Sequence, residues 1–395
     1  MTPPVRIGLF GLLGSGNLGN DGSFEAVLGY LRAEHPGAAL SVMCGGPDVV
    51  ASRYGLETTA LNWYEGEYRT ASGPLSIAMK GFGKLVDVFR TAAWVRRQDA
   101  VIVPGMGVLE STLPLRPWGF PYALLLLSVS GRLVGTKVAL VSVGASVSTH
   151  RATRSVIGWA ARLAAFRSYR DEPSRDAMRT MGVDVANDRV YPDLAFALPA
   201  PSEPVLPRSV GVGVMAYHGG NDDRHRAAEI YESYVDKMTR FVAGLIADGR
   251  PVRLFIGDRA DAQVVDEIMR ELESPLIAAA DTATLDEVMR AMSAVETVVA
   301  TRYHNVLCAL KLAKPTLSIG YARKNEVLMT TLGLGEFCQS AKEIDFDALV
   351  RQFAELESRA GELTEIVAKR SAEQARLLDE QFAALSAAFL PMGVR

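Results

Sequence analysis

The chain has 395 residues, 49% of them hydrophobic and 22% charged, with a formal net charge of −3. This is ordinary globular composition at a length that predicts two domains, with three as the upper case, and it argues against a general nucleic-acid binder. Three widely spaced cysteines (Cys44, Cys308, Cys338) make neither a metal motif nor a plausible disulfide framework, which fits a reducing cytoplasm.

The segment Met1–Arg6 runs straight into a strand-like run and does not read as a signal peptide. The predicted strands are Val5–Phe10, Ala39–Met43, Ala100–Val103, Lys137–Val143, Phe166–Tyr169, Val210–Val214, Val252–Ile256, Thr297–Ala300 and Thr316–Ile319. Helical patterns lie between most of them, among them Gly22–Glu34, Glu229–Asp248, Ala262–Glu273 and Leu285–Ala294. Several strands are apolar on both faces, as in a parallel sheet covered by helices on both sides. The alternation predicts doubly wound α/β architecture. The apolar stretch Pro121–Val147 is interrupted by Arg132 and Lys137, so it reads as a helix followed by a buried strand, not a membrane span. Leu75–Arg97 is a basic amphipathic stretch. It reads as a helix packed on its own domain, with contact to an anionic membrane surface as the alternative.

Four prolines between Leu198 and Pro207 read as a stiff linker. The expected organisation is an N-terminal Rossmann-like domain over 1–198, the linker over 199–207, a second Rossmann-like domain over 208–344 and a helical segment over 345–395. That last segment either closes the second domain or crosses back to the first. A cleft between the two halves is the default ligand site.

Five motifs follow strand ends. In the glycine-rich turn Gly11–Gly22, which opens a helix, Asn17 or Asp21 is a candidate contact to a polar acceptor, and Asn20 or Asp21 would also serve as a helix cap. Val103-Pro104-Gly105-Met106-Gly107-Val108 is a second strand-to-glycine turn. In Ser168–Ser174, Arg170 leaves the strand as an anion clamp, while Asp171 or Ser174 caps the next helix. In Tyr191-Pro192-Asp193, the aspartate either orients a catalytic group or closes a turn. Arg302-Tyr303-His304 follows Thr297–Ala300, and Tyr321-Ala322-Arg323-Lys324 follows the next strand. Successive strands are usually neighbours, so these cations and the imidazole gather at one sheet rim, where α/β proteins bind ligands. Of the remaining histidines, His218 also follows a strand.

Taken together, Asn17-Leu18-Gly19, Arg170-Asp171-x-x-Ser174, Asp193-Leu194-Ala195-Phe196, Arg302-x-His304 and Gly320-Tyr321-x-x-Lys324 resemble the polysaccharide pyruvyl transferase family. The resemblance implies two Rossmann-like domains in a glycosyltransferase-B-like arrangement with the active site between them. It implies transfer of the pyruvyl group of phosphoenolpyruvate to sugar hydroxyls, usually as a cyclic ketal, with release of phosphate. It casts Arg170 and Arg302 as donor-binding cations assisted by Lys324, with Tyr321 on the same loop. His304 becomes the general acid or base, since an imidazole's ordinary pKa of ~6.5 lies near working pH. No metal or other cofactor is implied, and the acceptor would be a saccharide or a lipid-linked saccharide. The family loop usually reads Asn-x-Gly-Asp, whereas Asn20 here stands between Gly19 and Asp21, and Met106 occupies a position where glycine is common. The competing readings are a nucleotide-sugar glycosyltransferase of the same fold, with Asp258 or Glu326 gripping the ribose, and a catalytically inactive sugar-binding relative.

Overall fold

The computed structural model describes residues 4–64, 73–110 and 117–389; Met1–Pro3, the first residues of the N-terminal segment discussed above, lie outside them. The chain divides into two compact units. Unit 1 comprises Met1–Ser15, Ser23–Leu194 and Leu377–Arg395; unit 2 comprises Gly16–Gly22 and Ala195–Arg376.

Unit 1 is built on a parallel sheet of β1 (Arg6–Gly11), β2 (Ala39–Cys44), β3 (Glu57–Ala60), β4 (Ala100–Pro104), β5 (Lys137–Val143), β6 (Phe166–Tyr169) and β7 (Arg189–Val190), in the order β3-β2-β1-β4-β5-β6-β7. Unit 2 carries a parallel sheet of β8 (Val210–Gly213), β9 (Val252–Phe255), β10 (Ile277–Ala279), β11 (Thr297–Ala300), β12 (Thr316–Gly320) and β13 (Cys338–Ser340), in the order β10-β9-β8-β11-β12-β13. The central strands β4, β8 and β11 are buried at every residue. Valine and isoleucine run through them because helices cover both sheet faces and leave no wet side to pattern.

The nine predicted strands all form, within a residue of their expected ends. The structure adds β3, β7, β10 and β13, which are edge or near-edge strands of two to four residues. They are too short to show a period, and neighbouring strands recruit them.

The unit boundary falls at Leu194/Ala195, so the proline-rich stretch belongs to unit 2, where the Leu206 amide donates to the Ala294 carbonyl (2.9 Å). The C-terminal segment divides as well. The helix Phe346–Ser358 lies in unit 2, and the 30-residue helix Ala360–Phe389 passes into unit 1 at Leu377. There Phe382 stacks on Tyr30 (4.3 Å, 9°). Gln381, fully buried, accepts from Ser142 Oγ (2.9 Å) and donates to Ser168 Oγ (2.6 Å). Ser142 adopts φ +49° where the β5–β6 register shifts, and this buried network holds that bulge.

Pro121–Val147 forms the helix Phe120–Val134 followed by β5. Among the described residues no helix is long and apolar enough to cross a membrane.

Candidate functional site

In unit 2 the chain winds β8, β9, β10 to one side and then returns to β11, β12, β13 on the other, so the topological switch point lies between β8 and β11. Loops leaving adjacent strands diverge there, and α/β sheets bind ligands at that rim.

Arg302 leaves β11 and precedes the helix Tyr303–Lys311. Its guanidinium donates twice to Asp261, Nε to Oδ2 at 2.8 Å and Nη2 to Oδ1 at 2.6 Å. Burial disfavours its charge, but the Asp261 carboxylate more than offsets this and raises its pKa above the ordinary arginine value. Asp261 is fully buried and also accepts the backbone amides of Ala216 (2.9 Å), Asp258 (3.0 Å) and Gly257 (3.3 Å). One carboxylate thus ties together the segments that leave β8, β9 and β11. Arg302 stands here as a matched cation held in one orientation.

His304 occupies the first turn of the same helix, half-buried. Its ring lies on Gly19 so closely that a Cβ there would overlap Nδ1. This is why the turn has glycine at that point. The turn 16–22 is held in unit 2 by the Leu18 amide donating to the Gly257 carbonyl (3.3 Å) and by Asn17 Nδ2 donating to Asp258 Oδ2 (3.4 Å). Asn17 Oδ1 also accepts the Asn20 amide (3.2 Å). The helix begins at Leu18, earlier than predicted, so Gly19, Asn20 and Asp21 lie in its first turn. Positions three and four along a helix share a face, so the extra Asn20 leaves Asp21 on the face that follows Asn17. Asp21 is buried there.

Tyr303 meets the His304 ring edge-on at 5.1 Å. Lys324, in the first turn of the helix Arg323–Thr331, places Nζ over the rings of Tyr303 (5.6 Å) and Tyr321 (5.3 Å). Arg323 beside it is exposed, with no ion pair among the described residues. Below this rim Asn305 is fully buried, and neither atom of its amide finds a hydrogen-bond partner among the described residues. His218 lies on the exposed surface, its ring stacked on Tyr231 (4.7 Å, 11°).

Arg170 and Asp193 belong to unit 1. Arg170 leaves β6 and is 7% exposed, ion-paired to Glu110 and within 3.7 Å of both Asp171 and Asp193. Asp171 caps the helix Glu172–Thr180 by accepting the Ser174 amide (2.7 Å). A Cβ at Gly144 would stand 2.6 Å from both the Arg170 guanidinium and the Glu110 carboxylate, so a bare backbone is needed to seat the pair. With three carboxylates around one guanidinium, the local charge is not positive. Arg170 is the centre around which these carboxylates are arranged. On β4's side, Met106 adopts φ +62°, a conformation glycine takes without strain.

The structure therefore groups Asn17, Asp21, Arg302, His304, Tyr321 and Lys324 in unit 2, together with Asp261, which the sequence reading did not single out. The signal was present in Asp258-x-x-Asp261, a capping pattern after a strand in which Asp258 accepts the Ala260 amide (3.1 Å). Asp258 is thereby committed to a cap and to Asn17. Among the described residues no cluster of metal-binding side chains occurs. Burial pushes the Cys338 thiol up to about 12, with the Glu326 carboxylate adding to the effect, so it is no nucleophile near neutrality.

Three solved structures share the architecture. S. aureus MnaA, solved with UDP, is 9% identical over 99% of each chain at a TM-score of 0.62. The Neisseria meningitidis UDP-GlcNAc 2-epimerase, bound to UDP-GlcNAc, is 10% identical over 95% of this chain and 99% of its own at 0.57. Acinetobacter baumannii MurG is 12% identical over 96% and 100% at 0.56. Identities this low speak to fold alone: two parallel-sheet α/β domains of the glycosyltransferase-B kind. No curated protein matches the sequence. A family model described as polysaccharide pyruvyl transferase matches residues 17–323, from Asn17 of the glycine-rich turn through Arg302 and His304 to Arg323. That span exceeds half of the chain, and the protein belongs to the polysaccharide pyruvyl transferase family.

Proposed function

We propose that the protein transfers the pyruvyl group of phosphoenolpyruvate to hydroxyls of a saccharide acceptor. The observation that carries this reading is the His304 ring lying on the backbone of Gly19, at a rim shared with Lys324 and with the N-terminal turns of the helices starting at Leu18, Tyr303 and Arg323. Helix N-termini offer free amide donors and a positive dipole end, and lysine adds a full charge, which suits a phosphate and a carboxylate on one small molecule. Asp261 holds Arg302 in a single orientation beside them.

The chemistry balances without a redox partner. A proton passes to the methylene carbon of phosphoenolpyruvate and leaves an oxocarbenium-like centre. A sugar hydroxyl adds to that carbon and loses its proton, the carbon–oxygen bond to phosphate breaks, and a second hydroxyl adds to the same carbon and closes the ketal, its proton leaving with the phosphate. His304 gives and takes these protons. Lys324, the helix N-termini and Arg302 hold the donor, with Tyr321 beside them. Asn17 and Asp21 line the acceptor side through the turn 16–22. His218, on the exposed surface, and the carboxylate-ringed Arg170 with Asp193 have supporting parts at most. The protein works in the cytoplasm, where phosphoenolpyruvate is available.

Purified protein is expected to release inorganic phosphate from phosphoenolpyruvate when a matching saccharide acceptor is supplied, and to leave UDP-sugars intact. Consumption of a UDP-sugar in the absence of phosphoenolpyruvate would instead identify a glycosyltransferase. Gly19→Ala is expected to force the His304 ring from its seat and lower turnover about a hundredfold, the scale of a catalytic group misplaced by about 1 Å. Steady-state kinetics with an unchanged circular-dichroism spectrum would check this; wild-type turnover in Gly19→Ala would show that the contact has no catalytic use.

A further inference from the structure

The helix Pro74–Val95 is turned inside out. Leu75, Ala78, Phe82, Leu85, Phe89 and Ala93 recur every three or four residues, the spacing of a single helix face, and every one of them is exposed. Leu75 and Phe89 are 75% and 74% exposed. The buried side carries Gly83, Asp87, Thr91 and Trp94 instead. Polar bonds set this orientation. Asp87 accepts the Trp63 amide (2.8 Å) and Arg90 Nη1 (3.1 Å), and Arg90 Nη2 reaches the Ala60 carbonyl (3.0 Å). Rotating the helix to bury its apolar stripe would turn that carboxylate outward and break these bonds to Trp63 and Ala60. The outward stripe is therefore specified rather than tolerated.

Amphipathic aromatics and cations border the stripe. The Trp63 ring meets Phe82 edge-on at 5.6 Å. Trp118, 63% exposed, faces Tyr122 at 6.1 Å, and Lys84 Nζ lies 5.6 Å from the centre of that tyrosine ring. From Leu75 to Arg97 the chain carries Lys80, Lys84, Arg90, Arg96 and Arg97 against a single carboxylate, Asp87, which is buried and paired. Exposed apolar patches of this extent mark interaction sites. A second copy of the chain is a poor occupant, since a two-fold contact brings like cations together. A lipid surface supplies what the face lacks, with acyl chains for the apolar stripe, an interface that favours tryptophan and tyrosine, and negative headgroups for the lysines and arginines.

We propose that this face docks the protein on an anionic membrane surface, lying in the interface without crossing it. The inference stands apart from the reaction, and its test reads binding alone. The full chain is sedimented with vesicles of phosphatidylcholine and with vesicles containing phosphatidylglycerol as well. Binding to the anionic vesicles, weakened by added salt, is expected, with far weaker binding to the neutral ones. Phe82→Ser/Phe89→Ser and, separately, Arg96→Glu/Arg97→Glu should each lower partitioning by about tenfold or more. All four side chains are exposed, so both variants should keep the wild-type circular-dichroism spectrum; should the serine pair fail to fold, the arginine pair reads the same face. Three results would overturn the proposal: no binding to phosphatidylglycerol vesicles, equal partitioning into both compositions, or a wild-type dimer that Phe82→Ser/Phe89→Ser converts to monomers.

Discussion

His304→Ala is expected to lower turnover by about 10²–10⁴-fold, the usual contribution of a positioned proton-transfer group, while the fold survives. The fold should survive because the imidazole is half-buried at a sheet rim and its main neighbour, Gly19, contributes only backbone to the contact. Truncation leaves space that water can fill. Phosphate release in single-turnover and steady-state experiments would measure the first effect and a thermal melt the second. A well-folded His304→Ala protein with normal turnover would remove the imidazole from the mechanism and leave positioning by Lys324 and the helix N-termini as the source of catalysis.

The second large effect is structural. Asp261→Ala should cost about 3–5 kcal/mol of stability, the scale for removing one partner of a buried ion pair. The loss has two parts. The Arg302 guanidinium, its side chain 19% exposed, is left without its countercharge, and the amides of Ala216, Gly257 and Asp258 lose a common acceptor. Asp261→Asn keeps an acceptor oxygen but not the charge, so it should be milder. The double variant Asp261→Ala/Arg302→Ala should recover part of the loss, because the uncompensated charge is gone. Chemical denaturation of the three variants tests this. A single Asp261→Ala variant within about 0.5 kcal/mol of wild type, the range of an ordinary surface substitution, would show that the carboxylate is not the organiser of this rim.

The carboxylates that meet the two strand-end arginines were not legible in the sequence. Both Arg170 and Arg302 emerge where a clamp would, yet each is met by carboxylates from distant parts of the chain, Glu110 and Asp193 in one case and Asp261 in the other. The sequence distance between those partners, 60 residues for Glu110 and 41 for Asp261, is what hid them. Lys324 places Nζ over the rings of Tyr303 and Tyr321.

The amino-acid sequence by itself determined the long central strands, the alternation with helices and the family motifs, because buried parallel strands need unbroken apolar runs and helix starts need caps. It also showed that cations and an imidazole would gather at the rim of the second sheet, since consecutive strands such as β11 and β12 pair with each other. Only the tertiary structure decided which carboxylates meet Arg170 and Arg302, that the turn 16–22 belongs with unit 2, and that the final helix returns to unit 1. It also decided that the apolar face of the helix Pro74–Val95 points outward, away from its own core. Each of those outcomes depends on partners far away in the chain, and local periodicity carries no information about them.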